Sequence, residues 1–588
     1  MFRPNSVVAV FAIALMISLP DVSRGIDVLS YRYDSSDNGA NTQEVMLTPQ
    51  NVNTKTFGLK YSVPVVGQIY AQPLIKTQVG SPARNLVFVA TQQNVVMAVN
   101  TATGVPVWTN ALTNFGVPVP FSDVGSMDIN PVIGICSTPV IQGNYLYVTS
   151  KAKYFDDAYV PHFTYTLYKI DIRHGNVVTN NNFADTAYHA TTNSTNFSYR
   201  TDIDPYVLGT GDAAVMITNG ESTNGESRVY FNALREMNRA ALTLVGGVIY
   251  AGFSSHGNID PYHGWVLGFD PVTLNVVAAF NTTPDGRKGG IWQTGGKIVS
   301  DSKNNLYLEV GNGSFGATNA ADLDANGFPI TPNYGDSVLK LARDSSTPSN
   351  PNPNGWGLKV VDYFTPTNNA YFDTYDLDFG SCGAVLIPSG SKSYLIGTSK
   401  DGTIYSMNST NLGKFNPSTN AIVQTIDNAL GYLGYTNGTY TPAALCTPSY
   451  LGGYLYYFGT QDNGKQFALS SKGILTNWGW NAEGFVQTDA ESTNAFLFPG
   501  MNSSISANGQ GNVIIWGIDS AENALRAYRP IDTRLVKELR QIWNSNQSPS
   551  DSFTGALKFT IPVVANGRVY VGAENALNIF GLKPASTR

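Results

Sequence analysis

Charge is scarce in this chain: only 13% of its 588 residues are Asp, Glu, Lys or Arg, and the formal net charge is −6. Nothing in it supplies the basic stripe that a phosphate backbone requires, so nucleic-acid partners are excluded. Cysteine is scarcer still, with only Cys136, Cys382 and Cys446 in the whole sequence. At most one intramolecular disulfide can form, so disulfides do not build the fold. Long apolar runs are also missing: beyond Leu19 no segment is apolar enough to span a bilayer.

The N-terminus is the exception. "MFRPNSVVAVFAIALMISLPDVSRG" carries Arg3, an apolar run from Val7 to Leu19 and small residues at Ser23 and Gly25. That order predicts a secretory leader over residues 1–25, removed from an extracellular protein, followed by a lead-in over 26–55 and one domain over 56–588. Sequons at Asn193, Asn196, Asn281, Asn312, Asn408, Asn437, Asn502 and Asn546 agree with secretion and predict a glycoprotein. Each is weak alone, because a chain rich in Asn, Ser and Thr produces several by chance.

Glycine and tyrosine are abundant, at 57 and 32, and 42% of the residues are hydrophobic. Short apolar strands bounded by Gly, Asn and Pro predict an all-β chain. A unit recurs through it: "NLVFVATQQNVVMAVNTATGVPVW" from Asn85, "NYLYVTS" from Asn144, "GGVIYAGF" from Gly246, "NNLYLEV" from Asn304, "SYLIGTSKDGTIYSMN" from Ser393, "GYLYYFGT" from Gly453, "NVIIWGI" from Asn512 and "GRVYVGAENALNIFGL" from Gly567. A further strand precedes each, as in "STPVI", "GAVLIP" and "TIPVVAN". Repeats of this size cannot bury both faces alone, which predicts an eight-bladed β-propeller. The last unit stops one strand short, and "TFGLKYSVPV" near residue 56 is a spare strand that completes the last blade and ties both ends into one ring.

"VYVGAENALNIFGL", "LVFVATQQNVVMAVNTATGVPVW" and "GTSKDGTIYSMN" resemble the repeat of the quinoprotein dehydrogenase-like propellers. "GQIYAQPL", "SHGNIDPYHGWVLGFD", "GGIWQTGG" and "NYGDSVLKL" are similar to a secreted branch of that superfamily. The resemblance covers most of the chain from about residue 57. It implies eight blades and an oxidoreductase site with pyrroloquinoline quinone (PQQ) and calcium near the axis. The adjacent cysteine pair of those dehydrogenases is absent, and their blade-closing tryptophan is matched only by Trp108 and Trp543.

Turns between the first and second strand of each unit are short, whereas connections on the other face are long in the second to fourth units, as in "TSKAKYFDDAYVPHFTY", "SSHGNIDPYHG" and "GNGSFGATNAADLDANGFPITPNYG". The crossing from Thr179 to Met237, rich in Asn and Thr, is a further long connection there, and function is expected on that decorated face. His256 and His263 lie there with Asp260, at a spacing unlike the i, i+4 pair of a zinc peptidase, and turn chemistry explains the surrounding Gly and Pro equally well. Where first strands approach the axis, repeat register places Tyr70, Gln72, Asn238, Arg239, Trp292, Gln293, Cys382 and Phe559, with Arg239 as the anchor for an anionic ligand. Cys382 and Cys446 come from neighbouring units, where they could pair or equally serve as small buried residues near the axis. Asp378 is the expected carboxylate and Trp292 the stacking ring. Asp322, Asp324 and Asn326 in "DLDANG" match the first half of a calcium loop, but position twelve is Asn333 instead of Glu.

Three functions are compatible with these residues. The repeat resemblance favours a PQQ-type oxidoreductase. A hydrolase of an extracellular polyester or polysaccharide would use Asp156, Asp157, Asp260 and Asp378 as acid and base, although no G-x-S-x-G elbow occurs. A non-catalytic matrix-binding propeller would need no titrating group, and exposed Tyr and Asn would suit glycan contact. The expected partner is a small molecule or an extracellular polymer.

Overall fold

Alternating β-branched and aromatic residues, punctuated by Gly and Asn turns, fold into sheets that are antiparallel apart from the parallel pairs Ala40–Asn41 with Ser503–Asn508 and Glu491–Phe496 with Lys537–Asn544. The computed structural model describes residues 25–190, 195–217, 226–436, 439–477, 491–532 and 537–584. The leader and the sequons Asn193 and Asn437 lie outside them. Among the described residues, no helix is long and apolar enough to cross a membrane.

Inner hairpins recur in chain order. Leu74–Val79 pairs with Arg84–Ala90, Val140–Gln142 with Tyr145–Phe155, Thr243–Val245 with Val248–Ser255, and Val299–Ser300 with Leu306–Glu309. Val385–Ser389 pairs with Lys392–Thr398, Ser449–Leu451 with Tyr454–Phe458, Ser503–Asn508 with Gly511–Asp519, and Val563–Ala565 with Arg568–Leu582. Four of the hairpins extend outwards into a sheet of four or five strands, the third into one of six and the last, with the closing strand, into one of three, while the sheets of the sixth and seventh join through Glu491–Phe496 into one of ten. The repeat count therefore rests on the hairpins and not on separated sheets. Ring closure takes the expected form: Phe57–Gln68 pairs with Arg568–Leu582, with Phe57 opposite Leu582 and Gln68 opposite Glu574.

Indole rings fasten sheet to sheet. Trp108 Nε1 donates to the Ile172 carbonyl at 3.0 Å, and Gly175, at φ +78°, leaves room for the ring: a Cβ there would come within 2.5 Å of it. Trp543 is fully buried and meets Phe57 of the closing strand edge-on at 4.9 Å. Two stretches expected as loops are strands. "TSKAKYFDDAYVPHFTY" pairs as far as Phe155 opposite Pro161, and residues 179–237 continue strand Val177–Ala190 before a small sheet of Tyr206–Leu208, Val215–Met216 and Ser227–Tyr230. Phe183 and Phe231 anchor this excursion in the core.

Residues 26–47 thread the ring from inside. Val28 exchanges backbone hydrogen bonds with Ile75; the Leu29 carbonyl accepts from Ile141, Ser35 from Ser300, Ser36 from Leu386, Asn38 from Tyr450 and Gly39 from Ile505. Asn41 Nδ2 then donates to the Val564 carbonyl at 2.9 Å. The segment thus visits the inner strands in chain order from first to last, and Tyr31 closes the gap at the third by packing on Ala241 and Ile561. Its polar groups are unusually deep. Arg32 and Asp37 are fully buried and lie 3.7 Å apart, and Lys297 Nζ donates to the carbonyls of Tyr31 and Asp34.

Burial pushes the Asp37 carboxyl up to about 7, against the pull of Arg32 and Lys297. An unfolded Asp ionises near pH ~3.9, so the native state holds a proton that the unfolded chain gives up. This group's contribution to stability therefore falls as pH rises from about 4 to about 7. Asp37→Asn removes that slope. Relative to the wild type, its urea midpoint should improve between pH 5 and pH 7.5 by the equivalent of about 2 kcal/mol. A pH-independent difference would contradict the assignment.

Candidate functional site

A cavity of about 300 Å³ lies over the axis, on the face opposite the short inner turns. Its wall draws on both sides of the ring: Arg239, His256 and Trp292 from the long-loop side, Asp376, Lys400, Leu445 and Phe498 from the other. The cavity is therefore centred and not displaced toward the second to fourth units. Below it, the carbonyl of Thr447 accepts from Arg32 of the threaded segment, and its hydroxyl meets that of Thr294, a cavity residue, at 3.3 Å.

Trp292 is half-buried at the cavity edge. Its Nε1 donates to the Ser255 carbonyl at 3.1 Å, and Tyr262 meets it edge-on at 6.0 Å. Gly311 lets the indole approach backbone, since a Cβ there would lie 2.5 Å from the ring and 2.9 Å from Asp378 Oδ2. The chain after Trp292 runs through consecutive left-handed residues Gln293, Thr294 and Gly295. At Gly295 a Cβ would fall 2.2 Å from the Arg239 guanidinium, so only glycine satisfies both the backbone and its neighbour. Arg239 donates to the carbonyls of Cys136 and Phe559, both at 3.1 Å, and its cation faces the Tyr70 ring at 6.0 Å. Burial lowers its pKa, yet a guanidinium stays charged.

Next to Trp292, on the far side of Gly311, sits a carboxylate–ammonium–carboxylate group. Lys400 Nζ bonds Asp376 Oδ1 at 3.0 Å and Asp378 Oδ1 more closely. Ser381 Oγ donates to Asp378 Oδ2 at 2.8 Å, and Asn258 Nδ2 donates to Asp376 Oδ1 at 3.0 Å. Burial pushes the Asp378 carboxyl up while Lys400 pulls it back, and the two carboxylates hold Lys400 protonated above its ordinary range despite burial. Asp378 is completely buried and lies one layer behind the wall; Asp376 presents its carboxylate to the cavity.

The two histidines have different surroundings. His256 lines the cavity, but its Nε2 lies 2.7 Å from the buried Lys151 Nζ, which also donates to the carbonyls of Leu234 and Glu236. Burial and the Lys151 charge push His256 well below its ordinary pKa, so it is a neutral imidazole already engaged. His263 is buried elsewhere, with Nδ1 3.0 Å from Thr283 Oγ1 and Nε2 2.9 Å from the Asp212 carbonyl. Asp260 is exposed and outside the cavity wall.

Register placed several residues at the axis whose side chains serve the backbone. Gln72 Oε1 accepts from the Arg32 N–H, Asn238 donates to the Ala240 and Gly252 carbonyls, and Gln293 spans from the Lys297 carbonyl to the Glu309 N–H. Cys136, Cys382 and Cys446 are free and buried, so Cys382 and Cys446 do not pair. Burial raises all three thiols, Cys136 to about 11 and Cys446 to about 12. The folded protein should leave Ellman's reagent unreacted at pH 8, and urea should release all three thiols. Fewer than three after unfolding would reveal a bridge.

In the "DLDANG" loop, Asp322 Oδ2 accepts from Thr318 and Asn319, and Asp324 Oδ1 accepts from the Asn326 and Phe328 N–H groups. The loop satisfies itself. Among the described residues, no three His, Cys, Asp or Glu side chains form a metal-binding group. Sequon residues Asn281, Asn312 and Asn502 are buried, at 0%, 2% and 3% exposure, which closes them to glycosylation in the folded chain.

No protein-family model and no curated protein matches the chain. Among solved structures it is similar to the quinohemoprotein alcohol dehydrogenase of Comamonas testosteroni, with TM-score 0.56 and 12% identity over 96% of this chain and 81% of that one. It is also similar to the quinohemoprotein alcohol dehydrogenase ADHIIG of Pseudomonas putida HK5, with TM-score 0.55 and 13% identity over 95% and 81%. A europium-containing methanol dehydrogenase gives TM-score 0.52 and 12% identity over 95% and 99%. At these identities the likeness establishes the fold alone: the chain is a β-propeller that shares its architecture with these dehydrogenase structures.

Proposed function

We propose that this protein is an extracellular oxidoreductase whose axial cavity holds a flat, polyanionic quinone of the PQQ class. The carrying observation is the convergence of Trp292 with the cations Arg239, Lys400 and Lys558 around one cavity. An aromatic ring and several positive charges suit a planar carboxylated ligand.

Calcium fits less well. It demands six to eight oxygen ligands, about the number no set of free donors here supplies. Asp376 Oδ1 is taken by Lys400 and Asn258, and Asp128 is shared between Lys558 and Ser126. No step is assigned to a metal.

A bound quinone of this class accepts a hydride equivalent from a substrate carbon bearing a hydroxyl. The chain's own residues supply the rest. Arg239, which bonds backbone carbonyls and has no carboxylate partner among the described residues, would neutralise a carboxylate; Lys400 and Lys558 would share with the ligand the charge they now give to Asp376 and Asp128, and Trp292 would stack. Asp376, oriented by Lys400 and Asn258, is placed to receive the hydroxyl proton, while Leu445, Phe498 and Phe559 limit water. A hydrolase finds less support, because Asp156, Asp157 and Asp260 lie outside the cavity wall and Asp378 is buried against Lys400, which leaves no pair of carboxyls from that set facing the cavity.

Native mass spectrometry of the protein incubated with PQQ in EDTA tests this reading. One quinone mass retained through gel filtration is expected. An unchanged mass would overturn it.

A further inference from the structure

Beside the cavity mouth stands a group of surface tyrosines that the axial chemistry does not use. Tyr375 precedes the cavity residue Asp376, and Tyr440 lies two residues before the cavity residue Pro442. Tyr371 and Tyr375 come from helix Asn369–Tyr375, whereas Tyr435 and Tyr440 come from the hairpin of Gly434–Thr436 and Thr439–Thr441. Ring centroids lie 4.6 Å apart for Tyr371–Tyr375, 5.5 Å for Tyr375–Tyr440 and 4.6 Å for Tyr435–Tyr440.

The group is exposed yet held. Tyr371, Tyr375 and Tyr435 are 42%, 40% and 59% exposed. Tyr440 packs on the apolar cluster that includes the buried Phe372, and its hydroxyl meets that of Tyr371 at 2.7 Å. That shared hydrogen bond raises the Tyr371 phenol to about 12. Ring orientation is thereby fixed before any ligand arrives, which lowers the entropy cost of binding.

Its surroundings are polar, with one carboxylate, Asp401, whose charge reaches Tyr371. Asp373 is paired with Arg287 at 3.0 Å and Asp376 with Lys400, while Thr374, Thr436 and Thr439 supply exposed hydroxyls. An anionic polymer finds no free cation here, and interspersed threonines break any continuous apolar patch for a protein partner. A ligand with alternating C–H faces and hydroxyl edges matches rings that are apolar on the face and polar at the tip.

We infer that Tyr371, Tyr375, Tyr435 and Tyr440 form a carbohydrate-binding platform that seats a neutral oligosaccharide beside the axial cavity. The inference stands on the platform itself and holds whether or not the cavity takes a quinone.

Calorimetric titration of the cofactor-free protein with cellohexaose, xylohexaose, mannohexaose, maltohexaose and chitohexaose tests it. Binding of at least one is expected. Tyr375→Ala and Tyr435→Ala should each weaken it roughly tenfold or more, equivalent to ~1.4 kcal/mol. Tyr435→Phe should retain most of the affinity, and Tyr159→Ala, at a distant site 85% exposed, should change nothing. Thermal midpoints of the exposed-site variants control for folding. Absence of binding across the series, binding untouched by the tyrosine variants, or tyrosine-dependent self-association in sedimentation would overturn the inference. None of these outcomes depends on quinone binding, so the two readings fail separately.

Discussion

Replacing Arg32 with alanine should cost about 3–5 kcal/mol, the range for breaking a buried ion pair from one side. The side chain is fully buried. It donates to the Thr447 and Pro448 carbonyls and faces Asp37 at 3.7 Å. Its removal strands two acceptors and a carboxyl where water cannot replace the lost donor, and it leaves a void at the centre of the ring. The segment it anchors touches the inner strands in sequence, so the loss should spread: limited proteolysis should cut within residues 26–47 in the variant but not in the wild type. Urea unfolding measures the energy. A loss below about 1 kcal/mol would mean that the threaded segment merely lies in the channel without bracing it.

Lys400→Met should have the second-largest effect, on two readouts. The methionine fills the volume but leaves Asp378, fully buried, without its cation. A stability loss of about 3–5 kcal/mol follows from the stranded charge. The double variant Asp378→Asn with Lys400→Met removes that charge and should recover more than half of the loss. Failure to recover would show that Lys400 acts through packing. The same variant takes a cation from the cavity and frees Asp376 from its orienting bond, so quinone affinity should fall roughly tenfold or more in the double variant as well.

Legibility in the sequence followed periodicity. The hairpins and the closing strand "TFGLKYSVPV" carry a strand pattern, and the structure pairs that strand with Arg568–Leu582. Register also located Arg239 and Trp292, because residues entering an inner strand must face the axis. It located Gln72, Asn238 and Gln293 equally well, but register cannot say whether an amide faces a ligand or a neighbouring peptide group. Lys400 and Asp376 were missed for a related reason. "TSKDGT" reads as an ordinary hairpin turn and "TYDLDFG" offers Asp378 as its carboxylate, whereas the pairing of Lys400 with Asp376 across two connections belongs to tertiary structure alone. The threaded segment "DVLSYRYDSSDNGANTQE" has no period, since its bonds go to other strands instead of to itself. The blade-two excursion reads as loop because its many Asn are weak strand formers, and Phe183 and Phe231 override that preference.

The central claim is that Trp292 and the surrounding cations make the axial cavity a quinone site. Tryptophan fluorescence during titration with PQQ in EDTA tests it most directly, in the wild type and in Trp292→Ala and Lys558→Ala. Saturable quenching at one equivalent is expected in the wild type, with affinity reduced roughly tenfold or more by Trp292→Ala and more modestly by Lys558→Ala. Equal affinity in all three proteins, or no saturation in any, would contradict it.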